Sequence, residues 1–221
     1  ALGPFFATVE RLGLAFLVTS PPDGGNAGPV QIDVGFQPPR AIGMRIAAGP
    51  VVGGGYIYLD VDKGEYAGVL QVKVGPVGLT IVGLLTTRMP DGSDGFSLML
   101  IVSFEMPPIQ LGYGFTLNGA GGMLGVNRTV NVPALQDGVR RGALDSILFP
   151  KDAVTNARQI IADVGAIFPP ASDQFVIGPM VKLGWGTGEP MITAAVGIVI
   201  EFPRFTISLL GLIEVGLPAL K

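Results

Sequence analysis

The chain has 221 residues, of which 48% are hydrophobic and 14% are charged, and its formal net charge is −3. The sequence contains no cysteine and no histidine, which excludes disulfides and thiolate metal sites and removes the commonest metal ligand and general base. Acidic and basic residues are scattered without a basic stripe, which argues against nucleic acid as a partner, and the low charge predicts that a partner covers part of the surface.

Gly-Pro pairs followed by an apolar residue mark predicted turns along the chain. They place prolines at Pro4, Pro29, Pro50, Pro76 and Pro179. Glycine suits a turn, and proline is tolerated at the first position of a strand. Because the first four pairs are spaced by about the length of one hairpin, residues 1–126 are predicted to form an antiparallel meander.

One hairpin of this meander is predicted from "YIYLDVDKGEYAGVLQVKV", residues 56–74. Strand alternation puts Ile57 and Leu59 on one face and Tyr58 and Asp60 on the other, and Gln71 continues the polar pattern on the return strand. The turn lies at "DKG". The hairpin is therefore predicted to have one apolar face and one wet face.

The next segment, "GPVGLTIVGLLTT" at residues 75–87, has no polar face. Both of its faces carry apolar or small side chains, so the second face needs a cover made of helices, another protein layer, lipid or a bilayer. The bulkier strand faces are expected to make the core. The residues predicted to lie at a leftover apolar surface are Leu79, Ile81, Val82, Leu84, Met99, Ile101, Leu210 and Leu212.

Two helices are predicted at about 133–168, where apolar residues recur every three to four positions instead of every two. Asn131 is a predicted cap for the first helix, Pro133 fits its first turn, and Pro150 is expected to end it. The second helix is expected to run from about Val154 to Phe168 and to stop at the following prolines.

Strands are predicted again after residue 172. In "LGWGTG", Trp185 is expected to be a packing anchor at a strand end. The second face of these strands carries small residues, such as Thr193, Ala195 and Gly197, and this suits a sheet packed closely under helices. The charge-free runs at 191–200 and 205–213 are about half the length of a membrane-spanning helix.

No residue is predicted to be catalytic, cofactor-binding or metal-binding. "NGAGGMLG" at 118–125 is interpreted as a glycine turn, because a phosphate-binding loop would need a helix to begin there. "DVDKGE" and "PDGSDG" resemble calcium loops without the full ligand set and are interpreted as turns. Glu105 and Glu201 are the carboxylate pair considered for hydrolysis, and both are more simply polar ends of apolar strands.

The segments "GVNRTVNVPALQDGVRRGALDSILFP" and "FVIGPMVKLGWGTGEPMITAAVGIVIEFP", within residues 125–213, resemble an uncharacterised domain family seen in long multidomain bacterial proteins. The resemblance implies a module of a longer polypeptide and carries no activity and no site residues. The first residue, Ala1, instead of methionine, fits this expectation.

The predicted fold is a β-rich domain, mainly an antiparallel meander forming a sandwich or a curved, barrel-like sheet, with the helical pair inserted. Residues 1–221 are expected to be one domain, with a β-meander to 126, the helical pair at 127–170 and C-terminal strands from 171. The expected function is a non-enzymatic structural or binding module whose apolar sheet is covered by neighbouring modules of the same chain, by a homo-oligomer or by lipid acyl chains. The alternative is a membrane-inserted β-barrel or pore-forming segment, and a carboxylate-dependent hydrolase comes third.

Overall fold

The computed structural model describes residues 5–11, 13–37, 39–186 and 191–215, and within these ranges the protein is mainly antiparallel β. Ten strands form one sheet in the order β1-β4-β5-β6-β7-β8-β9-β10-β11-β12, and β2 pairs with β3. The strands are β1 (Phe5–Glu10), β2 (Gly13–Thr19), β3 (Gln31–Gln37), β4 (Ala41–Ala48), β5 (Val51–Asp60), β6 (Glu65–Val74), β7 (Val77–Arg88), β8 (Asp94–Gly112), β9 (Phe115–Arg128), β10 (Pro170–Trp185), β11 (Ile192–Phe202) and β12 (Thr206–Val215). The predicted antiparallel β-rich fold with an inserted helical pair is confirmed.

The predicted meander is present from β4 onward, where each strand up to β9 pairs with the next along the chain. Pro50 and Pro76 lie in tight turns, as the Gly-Pro pattern predicts. The first three strands depart from it, because β1 pairs with β4 and the β2–β3 hairpin stands apart as its own two-stranded sheet with exposed apolar side chains such as Leu14 and Phe16. Pro179 lies inside β10 instead of at a strand start.

The helical insertion connects β9 to β10 and consists of α1 (Val132–Arg141), a short 3₁₀ helix (Ala143–Ser146) and α2 (Ala157–Ile167). The Asn131 side chain accepts a hydrogen bond from the backbone N of Ala134 at 3.2 Å, as predicted for the cap. The helix ends well before Pro150, because Gly142 adopts the left-handed conformation (φ 79°) that closes a helix C-terminus.

The second helix also begins later than predicted, at Ala157, and Val154 lies in the preceding turn. Its buried side includes Ile160, Val164 and Ile167. Among the described residues, no helix is long and apolar enough to cross a membrane.

The core lies between the helical insertion and one face of the sheet. Ile147, Leu148 and Phe168 from the insertion pack against strand residues such as Ile101 and Val176, and all are almost completely buried. Full burial of an aliphatic or aromatic side chain of this kind contributes about 1.5–3 kcal/mol. Hydrophobic burial on this one face is therefore what holds the insertion to the sheet.

The covered side of the sheet is the opposite of the side predicted for the hairpin at 56–74. Gln71 of the predicted wet face is buried, whereas Ile57 and Leu70 of the apolar face are exposed. The bulkier stripe of β8 is likewise the uncovered one, since Phe96 and Phe104 are exposed. The expectation that the bulky faces make the core is therefore wrong, because the insertion packs on the smaller residues and approaches the strands closely.

Glycines on the covered face make this close approach feasible. A Cβ on Gly119 would lie 2.9 Å from Cε1 of Phe149, a residue of the insertion. A Cβ on Gly197 would lie 2.9 Å from Cδ2 of Leu148. The segment "NGAGGMLG" is accordingly the middle of β9, where glycine admits neighbouring atoms, and the prediction of a glycine turn is wrong.

Candidate functional site

The uncovered side of the sheet is apolar across all ten strands. One row of register partners crosses the whole sheet without a polar side chain, and its members are Val9, Ile42, Ile57, Gly68, Gly83, Leu100, Leu124, Ile177, Ile200 and Ile207. The adjacent row is also apolar and contains Ala7, Met44, Gly55, Leu70, Ile81, Val102, Gly122 and Pro179. We call the sheet face with these two rows the open face and the face beneath the helices the covered face.

Three charged strand residues, Lys182, Glu105 and Glu201, lie on the covered face, where they form an ion pair or a hydrogen bond. Lys182 of β10 pairs with Glu105 of β8, and its Nζ lies 5.8 Å from the centre of the Phe149 ring. Glu201 of β11 accepts a hydrogen bond from Thr129. Because side chains alternate along a strand, this arrangement leaves the open face to the apolar residues.

The side chains of the open face are accessible to solvent. Leu124 and Ile177 in the middle of the sheet are 42% and 47% exposed, and Leu209 at the β12 edge is 74% exposed. A continuous apolar surface of this extent is uncommon on an isolated protein and is typical of surfaces that contact a protein, a ligand or a membrane.

Aromatic side chains of the open face lie at the two ends of its strands. Phe96 and Phe175 are at one end, and Phe104, Phe115 and Trp185 are at the other. The stretch between them is aliphatic or glycine. The eight residue-to-residue steps from Phe96 to Phe104 correspond to about 26 Å of strand.

The residues predicted to form an apolar surface are divided between the two faces. Leu79 and Ile81 are on the open face and are half-buried by their neighbours. Leu212 is partly buried against the core. The other five lie in the core beneath the helices, because they alternate with the open-face residues along the strands: Val82, Leu84, Met99, Ile101 and Leu210.

Trp185 ends β10 on the open face, opposite Phe115, and is 42% exposed. It therefore takes no part in the core beneath the helices. Instead, its indole contributes to the aromatic end of the open face.

Glu105 and Glu201 do not share a site. In the sheet register, Glu105 pairs with Gly119, which in turn pairs with Lys182 of β10. Glu201 pairs with Val176, which is six residues before Lys182 on the same strand. This corresponds to about 20 Å along the strands. A hydrolytic mechanism that uses these two carboxylates together is therefore excluded by the register.

One aspartate in each of the two loops that resemble calcium sites stabilises its own turn. Asp60 accepts hydrogen bonds from the backbone N of Lys63 and from the hydroxyl of Tyr58, at 3.2 Å in each case. Asp91 accepts from both the backbone N and the hydroxyl of Ser93. These bonds hold the pKa of each carboxyl below its usual value.

A cavity of about 620 Å³ lies on the covered face between α2 and the ends of strands β4–β7. Arg128 lines it and is 2% exposed. Its NH1 donates to the carbonyl O of Phe168 at 2.9 Å and its NH2 to Oγ1 of Thr86 at 3.0 Å. Burial lowers the pKa of Arg128 to about 10. Arg128 is not among the residues predicted from the sequence, although it is the one charged residue between Phe115 and Asn131.

A second cavity, of about 460 Å³, lies between the insertion and strands β10–β12. At its wall, the hydroxyl of Ser146 donates to Asp163 at 2.8 Å, and Gln159 donates to the same carboxylate at 2.9 Å. Lys151 at the rim is paired with Glu214. The polar groups at this cavity are thus largely occupied by one another.

Comparison with protein families gives one result that covers the whole chain. The model of DUF6603, described as a family of unknown function, matches residues 1–221. No curated protein and no solved structure matches the chain.

Proposed function

The chain belongs to DUF6603, a family of unknown function, and from the geometry of its sheet we propose that it is a non-enzymatic structural module. This module packs its open face against another apolar β sheet. In the purified protein, that second sheet is supplied by another copy of the chain. The observation that carries the proposal is the row of ten register partners without a polar side chain, from Val9 at one edge of the sheet to Ile207 at the other.

The size of the open face supports a stable protein contact. Ten strands spaced by about 4.8 Å and apolar over about 26 Å give a face of roughly 1,100 Å². Two such faces in contact remove roughly 2,000 Å² or more from water, which is the range of permanent protein interfaces. Sheets packed in this way lie about 10 Å apart and interdigitate their side chains.

The charge distribution supports the same contact. A face without ionised groups can be buried without the desolvation penalty that an unpaired charge imposes. The ion pairs Lys182–Glu105 and Lys151–Glu214 lie on the other face and stay clear of such an interface. The module thus has one side suited to water and one suited to a second apolar layer.

Lipid acyl chains are the second candidate partner of the open face, and one observation favours them. The aromatic side chains lie at both ends of the face, as at Phe96 and Trp185, with aliphatic residues between. Aromatic residues at the two ends of an apolar band are typical of surfaces that contact lipid. This candidate predicts a bound lipid where the first predicts a bound protein.

The test is native mass spectrometry of detergent-free protein together with light scattering over a range of concentrations. We expect a discrete oligomer, and we expect Ile177→Lys on the open face to weaken it by about 100-fold or more, because a charge would be buried without a partner. Val139→Lys is the matched control, since Val139 is 50% exposed on α1 and Ile177 is 47% exposed on the sheet. Circular dichroism checks that both variants are folded.

Two results would overturn the proposal. The first is a wild-type protein that stays monomeric and ligand-free at about 100 μM, which is far above the dissociation constants of permanent interfaces. The second is a stoichiometric acyl lipid on a monomer, which would establish the second candidate instead.

A further inference from the structure

The cavity between α2 and strands β4–β7 contains a buried cation with unused hydrogen-bonding capacity. A guanidinium has five N–H donors, and Arg128 donates to Phe168 and Thr86. Its Nε is buried and has no hydrogen-bond partner among the residues that the structure describes. Within the same residues, no carboxylate lies within salt-bridge distance of Arg128. Glu65 also lines the cavity, and its negative charge acts to raise the pKa of Arg128. A buried cation of this kind is costly unless an anion is nearby.

Other groups at the cavity increase its positive charge. Arg11 and Arg40 line it together with Arg158, which pairs with Glu10 and donates to the hydroxyl of Tyr56 at 3.2 Å. The four arginines and two glutamates of the lining give an excess of two positive charges. This excess occurs in a protein whose overall charge is negative.

Apart from three tyrosines and Thr86, the remaining lining is apolar and includes Leu84, Ile161 and Ala162. A cavity of about 620 Å³ is within the range that holds small-molecule ligands. The combination of a buried arginine with an apolar wall is suited to a compound that has an anionic head and an apolar body. An ordered water could satisfy a single N–H of Arg128, but it would leave the positive charge uncompensated.

From this geometry we infer that the cavity binds an organic carboxylate, with the carboxylate at Arg128 and the apolar part against α2 and β7. Guanidinium and carboxylate form paired, charge-assisted hydrogen bonds, which are about twice as strong as neutral ones. The site is on the covered face and is independent of the proposed role of the open face.

The probe for this site is sodium decanoate, titrated by isothermal calorimetry below its micelle concentration into the full chain. Decanol, with the same chain length and no charge, is the matched ligand. We expect decanoate to bind with one site per chain and at least tenfold more tightly than decanol. Arg128→Met should remove this preference, because it keeps the shape of the side chain and removes the charge.

Two further variants keep the test interpretable if Arg128→Met fails to fold. Ala162→Phe places bulk at the cavity from an exposed position on α2 and should abolish binding without disturbing the core. Glu65→Gln removes a negative charge from the lining and should tighten decanoate binding by severalfold. Arg140→Gln on the solvent side of α1 is the control and should change nothing.

The inference is overturned if decanoate binds no more tightly than decanol, if it still binds the Ala162→Phe variant, or if Arg128→Met leaves its affinity unchanged. The last result would mean that Arg128 serves only the backbone of Phe168 and the hydroxyl of Thr86.

Discussion

The side-chain amide of Gln71 donates a hydrogen bond to the hydroxyl of Thr80, 3.2 Å away on the neighbouring strand. Its Oε1 also accepts a hydrogen bond from the backbone N of Ala153 at 3.1 Å, and Nε2 is 3.4 Å from the carbonyl O of Pro150. The polar residue that alternation assigns to a wet face thus connects the sheet to the insertion. A buried amide with these partners fixes how the insertion sits on β6 and β7.

We predict that Gln71→Met destabilises the protein by about 1–3 kcal/mol, because the substitution keeps the volume but leaves the N–H of Ala153 buried without a partner. Urea unfolding followed by circular dichroism measures the free energy. Gln136→Met on the exposed side of α1 is the control and should shift the free energy by less than about 0.5 kcal/mol. All variants are compared at one protein concentration, since oligomerisation makes stability depend on concentration. Equal stability of Gln71→Met and wild type would contradict the assigned role.

The two faces of the sheet should respond differently to the same substitution of glycine. We predict that Gly121→Ala on the covered face destabilises the protein by about 1–3 kcal/mol, because the new methyl group overlaps Val102 and Met180. Gly83→Ala on the open face meets nothing within 4 Å and should be neutral or slightly stabilising. Thermal unfolding of both variants measures the difference, and a similar loss at both positions would mean that the faces are not distinguished in this way.

Association through the open face should be insensitive to salt. The contact is apolar, so screening of charges does not weaken it, whereas ion-paired interfaces lose affinity as ionic strength rises. We expect the dissociation constant measured by analytical ultracentrifugation to stay constant or fall when sodium chloride is raised from about 0.05 to about 1 M. Dissociation of the oligomer at high salt would show that the interface lies on charged surface elsewhere.

The pair formed by Lys151 and Glu214 should make one part of the stability depend on pH. Lys151 Nζ donates to both carboxylate oxygens, at 2.6 and 2.9 Å, and this bond holds the pKa of Glu214 below its usual value despite partial burial. A group whose pKa is lowered by folding stabilises the protein above its unfolded pKa and loses this contribution as the pH falls through the folded value.

We therefore expect wild type to be more stable than Glu214→Gln near neutral pH, and the difference to shrink as the solution is acidified below the ordinary range of a glutamate. Urea unfolding of both proteins between neutral and acidic pH measures it. Lys151→Met should lose the same pH-dependent component. A difference between wild type and Glu214→Gln that does not vary with pH would show that the pair makes no electrostatic contribution.

Local signals in the sequence predict most elements of the fold. Alternation of side chains and Gly-Pro turns predict the strands from β4 onward, and Asn131 with Pro133 predicts the start of α1. The end of α1 also had a signal, since Arg140, Arg141 and Gly142 form the pattern of a helix C-terminus. The longer helix was predicted because Ala143 and Ile147 continue the helical spacing, although they reach the core from the 3₁₀ turn and the loop after it.

The side of the sheet that the helices cover could not be predicted from alternation. Alternation places Ile57 and Tyr58 on opposite faces of the sheet, and likewise Leu100 and Met99. Either member of each pair is apolar enough to be buried, so alternation does not tell which face the helices cover. The choice is made by contacts distant in sequence, such as the hydrogen bond from Ala153 to Gln71 and the space that Gly197 leaves for Leu148. Arg128 was missed for the same reason, because its partner Phe168 lies 40 residues away.

The order of the strands has a consequence for how the protein folds. Neighbouring strands from β4 to β9 and from β10 to β12 are also consecutive in sequence, so they can pair by closing short loops, which is fast. The two slower closures are those of β1 with β4, across the β2–β3 hairpin, and of β9 with β10, across the helical insertion. Hairpin pairing alone creates two large blocks of the open face, one on β4–β9 and one on β10–β12, before either closure is complete. A nascent chain therefore exposes much of this apolar surface from an early stage of folding, and exposed surface of this kind promotes aggregation.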